Sequence, residues 1–167
     1  MKKTSRTLTP SRLMSRHDTL PETAPACVTL EDAIAIAVEA HRGQKDKAGA
    51  CYILHPLRVM MTVEGDLERM TAILHDVVED SELTLVDLAR KGVPPAVLEA
   101  LVLLTKQEAE PYADFIERLA PNGLARAVKI ADLEDNMDTR RLDALDDRAL
   151  ERLQRYHAAW RRLHEAQ

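Results

Sequence analysis

Thr71-Ala-Ile-Leu-His-Asp-Val-Val-Glu-Asp80 is the stretch of sequence that decides the fold of this chain. At about 100° per residue, its polar side chains share one arc of a helical wheel and its apolar side chains take the opposite arc. The polar set is His75, Asp76, Glu79 and Asp80. The pattern predicts one helix through the whole segment, with one side buried and a face of imidazole and carboxylate groups on the other.

The charges of this helix have two interpretations. Glu79, Asp80 and Glu82 crowd its expected C-terminal end, where the helix dipole already favours cations. No Lys or Arg lies between Met70 and Arg90 to offset them. A solvated polar face is the ordinary interpretation. A metal or catalytic site is the alternative that we favour, because a bound cation would offset the carboxylates and a His-Asp pair supplies nitrogen and oxygen ligands.

The composition indicates one globular domain rich in helices. The chain has 167 residues, of which 46% are hydrophobic and 31% charged, with only five Gly and one Phe. No run of alternating β-branched residues stands out, so we predict an all-α, single-domain bundle of seven or eight helices. Capping boxes at Thr29 with Asp32 and at Thr84 with Asp87 begin two of them. In a last helix from about Asp146 to His164, an apolar and aromatic set is expected to be core: Leu150, Leu153, Tyr156, His157 and Trp160.

Charge and cysteine content limit the partners. The net charge of −5 argues against nucleic-acid binding, and no apolar run approaches the length of a membrane span. Cys27 and Cys51 do not form a CxxC motif, which fits a cytoplasmic protein without a disulfide framework. Residues 1–25 are basic and hydroxyl-rich without the apolar core of a signal peptide, so we expect a flexible N-terminal arm.

A second polar face is predicted in a helix from Leu124 to about Thr139. Five of its polar residues fall within about 120° of the wheel: Lys129, Asp132, Asp135, Asn136 and Thr139. This face is either an ordinary solvent face or the lining of a site in which Asp132 ligates a metal. Together, two imidazoles and two carboxylates, from His55, His75, Asp76 and Asp132, would form a site for Mn²⁺, Fe²⁺, Mg²⁺ or Zn²⁺, and ligand type alone does not choose among these ions.

Three motifs in order carry a family resemblance. They are Ala40-His-Arg-Gly-Gln-Lys-Asp-Lys-Ala-Gly-Ala-Cys-Tyr-Ile-Leu-His-Pro56, Leu74-His-Asp-Val-Val-Glu-Asp80, and Val128-Lys-Ile-Ala-Asp132 followed by Asn136-Met137. This series resembles the HD-superfamily hydrolase domain of the RelA/SpoT alarmone enzymes, and most closely their small stand-alone hydrolases. The resemblance covers about Leu30 to Arg141 and implies that residues 26–167 form an HD-type phosphohydrolase domain.

The resemblance implies a role for each motif residue. The family metal, usually Mn²⁺, would be held by His55, His75, Asp76 and Asp132, while Glu79 and Asp80 would orient or deprotonate the attacking water. Lys47, Asn136 and Thr139 match positions that line the nucleotide pocket, and Lys129 is expected to bind the anionic substrate beside them. The implied reaction removes the 3′-pyrophosphate of (p)ppGpp.

Two departures from the family pattern concern the nucleotide. The family usually has Arg-Lys where this chain has Asp46-Lys47, and a His where it has Asp135. Both changes add acidic groups near the expected pocket, so two alternatives stay open: an HD phosphohydrolase acting on another nucleotide, and a nucleotide sensor without turnover. Cations available to offset the acids include Arg42, Lys45, Arg58, Arg140 and Arg141.

Overall fold

A computed structural model describes residues 27–46, 49–141 and 144–166 of the chain. These ranges contain nine α-helices and one 3-10 turn. In chain order the helices are α1 (Leu30–Ala40), α2 (Leu54–Thr62), α3 (Asp66–Leu74), α4 (Val77–Asp80), α5 (Leu85–Lys91), α6 (Pro95–Leu104), α7 (Tyr112–Leu119), α8 (Gly123–Asn136) and α9 (Asp147–Glu165). The 3-10 turn, Thr139–Arg141, follows α8. A single β-bridge, between Lys45 and Cys51, is the one element of β-structure among the described residues.

Helix α3 lies at the centre of the bundle, in contact with α1, α2, α6 and α8. Five consecutive residues at its C-terminal half, Met70–Leu74, are buried, because neighbouring helices cover it on several sides. Ile73 and Leu74 are fully buried in a core that also takes Val59 from α2, Leu101 from α6 and Val128 from α8. The prediction of an all-α bundle is confirmed.

The two capping boxes predicted at helix N-termini are present in the structure. The Thr29 hydroxyl accepts a hydrogen bond from Asp32 N–H, and the Asp32 carboxylate accepts one from Thr29 N–H. Thr84 and Asp87 form the same reciprocal pair at α5. Gly92 then ends α5 with φ 93°, a left-handed conformation that glycine adopts without steric cost.

The helix predicted to carry His75 and Asp76 is interrupted in the structure. The segment expected to run unbroken through His75 and Asp76 ends as α3 at Leu74, and these two residues form a turn before the single helical turn of α4. The prediction that His75 and Asp76 share one exposed helix face is therefore wrong, and His75 is buried. The described residues therefore contain nine α-helices, where seven or eight were predicted.

The core prediction for the last helix is confirmed in part, since Tyr156 and Trp160 are half-buried against the core. Helix α9 buries Ala149, Ala159 and Leu163, whereas Leu150 is 44% exposed and His157 is exposed. The small residues are buried because α9 lies close against α7 and α8. Within the described ranges, no helix has the length and apolar character needed to cross a membrane. The domain boundaries at residues 1–25 and 26–167 stay a prediction, since residues 1–26 lie outside the described part.

Candidate metal centre

Four side chains from three parts of the bundle converge on one point. His55 comes from the first turn of α2, His75 and Asp76 from the turn between α3 and α4, and Asp132 from α8. His55 Nε2 lies 3.2 Å from Asp132 Oδ1 and 3.6 Å from Asp76 Oδ2. His75 Nε2 lies 3.1 Å from Asp76 Oδ2 and 3.8 Å from Asp132 Oδ1. The sequence-predicted ligand set is thus brought together.

The His-Asp pair lies in the turn between α3 and α4. In a continuous helix, adjacent side chains point about 100° apart. Here Asp76 has φ −98° and ψ −6°, and its Oδ2 lies 3.1 Å from Nε2 of its neighbour His75. Both groups consequently face the same space, between α2 and α8.

Hydrogen bonding fixes which imidazole nitrogens face the cluster. His75 Nδ1 lies 2.7 Å from the carbonyl oxygen of Ala72, and His55 Nδ1 lies 2.7 Å from Asp135 Oδ2. A carbonyl or carboxylate oxygen can only accept, so each Nδ1 carries the proton. In the neutral rings both Nε2 atoms are then lone-pair donors, and that of His75 is buried without a hydrogen-bond partner.

This donor set fits a divalent cation. Two imidazole nitrogens and two carboxylate oxygens face one another. When the imidazoles are neutral, none of these four atoms carries a proton. Metal bonds of about 2.1 Å place neighbouring ligand atoms about 3.0–3.4 Å apart, close to the separations seen here. Ligand atoms of His55, His75 and Asp76 all lie within 4.8 Å of one another. Although burial alone would lower the pKa of His75, the charge of Asp76 raises that pKa well above its ordinary value.

Asp132 is held on both of its oxygens. Lys129 Nζ donates to Oδ2 at 2.7 Å, and Asn136 Nδ2 donates to Oδ1 at 2.6 Å. These three residues lie one turn apart on α8, as the predicted polar face requires. Burial opposes ionisation of Asp132, but the charge of Lys129 and the bond to His55 hold its pKa well below the usual range. Lys129 and Asn136, which were predicted to bind substrate, therefore hold Asp132, a predicted metal ligand.

Tyr52 holds the second carboxylate of the cluster, that of Asp76. Its hydroxyl donates to Asp76 Oδ2 at 2.6 Å. Burial raises the pKa of this hydroxyl, and the neighbouring charges of Asp76 and Asp80 raise it further, so the phenol keeps its proton. Burial would raise the pKa of Asp76 as well, but the charge of His75 lowers it to about 2. Both carboxylates of the predicted ligand set are thus ionised at neutral pH.

The two predicted catalytic carboxylates face different neighbours. The charge of Asp80 raises the pKa of the Tyr52 phenol, whose hydroxyl donates to Asp76. Glu79 Oε1 accepts a hydrogen bond of 2.6 Å from the backbone N–H of Lys106, in the loop between α6 and α7. Glu79 is thus engaged with that loop, whereas the charge of Asp80 acts on the phenol that contacts Asp76.

A cavity of about 460 Å³ opens beside the cluster. Its volume is in the range of small-molecule sites. It is lined by Lys45, Asp46, Tyr52, His55, Asp76, Tyr112, Lys129, Asp132, Asp135, Asn136, Asp138, Arg152 and Tyr156. Thr139, predicted to bind substrate, is exposed and does not line it. Lys47 lies outside the described residues.

Four lining residues outside the quoted motifs were not predicted to belong to a site: Tyr112, Asp138, Arg152 and Tyr156, the last of which was expected to be core. Tyr112 begins α7, and Arg152 and Tyr156 lie one turn apart on α9. Arg155 stacks over the rings of both tyrosines, 5.6 Å from Tyr112 and 5.7 Å from Tyr156. The spacing of Arg152 and Tyr156 places them on one face of α9, but nothing local shows that this face turns toward the cavity rather than into the core.

The candidate cations divide into two groups. Lys45 and Lys129 line the cavity. Arg42, Arg58 and Arg140 instead pair with Glu39, Asp135 and Asp138, respectively. Asp135 accepts hydrogen bonds from both His55 and Arg58, so its charge is engaged at the site rather than simply added to the substrate face.

Comparison with curated proteins finds relatives over most of the chain. A GTP pyrophosphokinase from Streptomyces coelicolor is 34% identical over 67% of this chain and 15% of its own length. A guanosine-3′,5′-bis(diphosphate) 3′-pyrophosphohydrolase from Vibrio cholerae is 31% identical over 70% of this chain and 19% of its own. A probable enzyme of the same name from Synechocystis is 33% identical over 80% of this chain and 19% of its own. The chain spans less than a fifth of the length of these relatives.

A solved structure shows the same fold. It is described as a metazoan ortholog of SpoT that hydrolyzes ppGpp and plays a role in starvation responses. The likeness covers 82% of this chain and 84% of that one, with a TM-score of 0.65 and 23% sequence identity. No model of a known protein family matches the chain.

Proposed function

We propose, from the premise that this chain is an HD-type relative of the RelA/SpoT enzymes, that it is a metal-dependent hydrolase of (p)ppGpp. The reaction would release the 3′-pyrophosphate and leave GDP or GTP. The observation that carries this proposal is the convergence of His55, His75, Asp76 and Asp132 at one end of a cavity that also presents lysine, arginine and tyrosine side chains.

His55, His75, Asp76 and Asp132 would hold the metal, for which we propose Mn²⁺. When bound, such an ion lowers the pKa of water and neutralises charge on a phosphoryl oxygen. The chain's own contribution is to fix the ligands: Lys129 and Asn136 hold Asp132, and Tyr52 holds Asp76. The supporting observation is that every ligand side chain has a second contact that restrains it, since Ala72 and Asp135 accept from the two imidazoles.

The proton of the attacking water would pass to a carboxylate of the Glu79-Asp80 pair. We propose Asp80 as the acceptor, because its charge acts on the Tyr52 phenol, which itself contacts the candidate ligand Asp76. Glu79 can take this role only if its bond to Lys106 N–H opens. As the structure stands, Glu79 ties α4 to the loop after α6.

The polyphosphate would be held by cations around the cavity. Lys45, Lys129 and Arg152 line it, and Asn136 can donate to an oxygen if its bond to Asp132 is shared. Tyr112 and Tyr156 offer rings against which a purine could lie. Lys47 and Thr139 remain proposed contacts: Lys47 lies beyond the described residues, and Thr139 would have to approach from the 3-10 turn after α8.

The deciding experiment measures pyrophosphate release from ppGpp by purified protein with Mn²⁺, with chelator, and with Mn²⁺ restored. We expect release that needs the ion and is abolished in Asp76→Ala. Asp114→Ala, at an exposed position on α7, is the matched control for losing one aspartate. Wild-type protein that contains Mn²⁺ yet leaves ppGpp intact would contradict the proposed substrate.

Asp46 favours a second candidate, an HD phosphohydrolase acting on a different nucleotide. This carboxylate lines the cavity where the resembling family usually has an arginine. A screen of nucleotides by phosphate or pyrophosphate release separates the two, because a clear preference for ppGpp rejects the alternative. Binding of ppGpp with no turnover of any nucleotide would instead identify a sensor. We propose the cytoplasm as the compartment, supported by the free, exposed thiols of Cys27 and Cys51.

A further inference from the structure

The carboxylate of Asp135 lies between a candidate metal ligand and an arginine. Its Oδ2 accepts from His55 Nδ1 at 2.7 Å and from the Nη2 of Arg58 at 3.0 Å. Its Oδ1 accepts from Arg58 Nε at 2.5 Å. The two α2 residues are thus joined to α8 through one carboxylate, which is 10% exposed.

The geometry of this contact restricts what each group can do. The guanidinium donates through two nitrogens to two oxygens, which fixes the plane of the carboxylate. The oxygen left facing His55 can only accept, so the imidazole proton stays on Nδ1 and Nε2 stays a lone-pair donor. We call the contact of Arg58 with Asp135, which in turn holds His55, the Asp135 clamp. The Arg58 side chain is 39% exposed, so this clamp extends from the site to the outer surface of α2.

We propose that Asp135 and Arg58 are positioning residues that hold His55 in its ligating orientation and thereby strengthen divalent-cation binding. This inference rests on the proposed function, since it requires that the site bind a metal. A carboxylate behind a ligating imidazole fixes its tautomer and increases its basicity, and loss of such a partner costs about 10–100-fold in metal affinity.

The second imidazole of the site lacks a comparable clamp. His75 Nδ1 donates to the backbone carbonyl of Ala72, which no side-chain substitution removes. Of the two imidazoles, it is therefore His55 whose orientation depends on a neighbouring side chain. The RelA/SpoT family usually has a histidine at the position of Asp135, so the clamp is a feature of this particular sequence.

The test is Mn²⁺ binding by the metal alone, measured from the electron paramagnetic resonance signal of the free ion. The variants are Asp135→Asn, which keeps the shape, Asp135→Ala, Arg58→Ala and the Arg58→Ala/Asp135→Asn double variant. Arg42→Ala is the matched control, because it removes an arginine whose ion pair is with Glu39. Circular dichroism establishes that each variant is folded.

We expect both Asp135 variants to raise the Kd for Mn²⁺ about 10–100-fold and Arg58→Ala to raise it by less. The double variant should bind like Asp135→Asn alone, because Arg58 acts through Asp135. In ¹⁵N spectra of the metal-free protein, the wild-type His55 ring should be protonated at Nδ1, and Asp135→Ala should shift population toward the Nε2-protonated form.

Three results would overturn the inference. If both folded Asp135 variants bind Mn²⁺ with wild-type affinity, Asp135 does not position His55. If the losses of Mn²⁺ affinity in the double variant are fully additive, Arg58 does not act through Asp135. Wild-type protein that binds no Mn²⁺ removes the metal-dependent function itself, and the inference with it. The first two results leave the proposed function intact, so the two failures are distinguishable.

Discussion

His55 Nε2 lies 3.2 Å from Asp132 Oδ1, and with the imidazole proton on Nδ1 this contact joins two acceptors. Such a pair is repulsive at short distance unless a cation or a proton lies between the atoms. The same holds between His75 and Asp76, whose Nε2 and Oδ2 are 3.1 Å apart. In the metal-free site the raised pKa of His75 allows a proton to lie between these atoms, and a divalent ion would take its place.

Divalent metal should stabilise the fold. A ligand that binds only the native state adds about 2.7 kcal/mol to the free energy of unfolding at a free concentration of 100 Kd. We expect chelator to lower the Tm of protein purified with metal and Mn²⁺ to restore it, as followed by thermal denaturation. His75→Gln should abolish the response to Mn²⁺, and an unchanged response in that variant would exclude His75 as a ligand.

Asp80 and Glu79 should differ in their effect on turnover. We expect Asp80→Asn to lower kcat by about 10²–10⁴, the usual contribution of a general base. Glu79→Gln should stay close to wild type, because the glutamine carbonyl can still accept from Lys106 N–H. Steady-state kinetics on ppGpp measures both. A large loss in Glu79→Gln with little loss in Asp80→Asn would reverse the assignment.

Arg152 should contribute to substrate binding. It lines the cavity from α9, and a hydrogen bond to a charged group contributes about 1.5–3 kcal/mol. We expect Arg152→Ala to raise the KM for ppGpp at least about tenfold, with a smaller change in kcat. Arg148→Ala, one turn earlier at an exposed position outside the cavity, is the control. Equal KM values in the two variants would place the polyphosphate elsewhere.

The ion pair between Glu110 and Arg118 should make stability depend on acid pH. Arg118 donates from Nε and Nη2 to the two Glu110 oxygens at 2.7 and 2.9 Å, which lowers the pKa of the carboxyl to about 2. Because the folded pKa lies below the ordinary value of 4.5, this stabilisation is present above pH 4.5 and is lost as the pH falls toward 2.

Urea denaturation between pH 6 and pH 3 tests this dependence. Glu110→Gln should be less stable than wild type at pH 6, and the difference should shrink below about pH 4.5. Glu108→Gln, in the same loop, controls for the loss of one charge. A stability difference that stays constant down to pH 3 would show that the ion pair is not its source.

Adjacent residues on α6 should differ sharply in their effect on stability. Leu101 is fully buried, and Leu101→Ala should cost about 2–5 kcal/mol because it leaves a cavity in the core. Val102 is 49% exposed, and Val102→Ala should change the free energy of unfolding by about 0.5 kcal/mol or less. Denaturant unfolding of the two variants makes the comparison, and similar losses would contradict the packing of α6.

The sequence by itself determined the helical class, most helix boundaries and the residue types of the site. Capping pairs such as Thr29 with Asp32 are local, so their outcome depends on three or four residues of backbone. The polar face of α8 also follows from helical spacing alone, and Lys129, Asp132 and Asn136 share contacts as that spacing requires.

Only the tertiary structure decided which polar groups face one another. The turn at His75 and Asp76, the clamp of Arg58 on Asp135, the separation of Glu79 from Asp80 and the approach of Arg152 from α9 all depend on how distant helices pack. Helical periodicity gives the direction of a side chain relative to its own axis. It carries no information on the distance or rotation between axes, which the packing of the whole core sets.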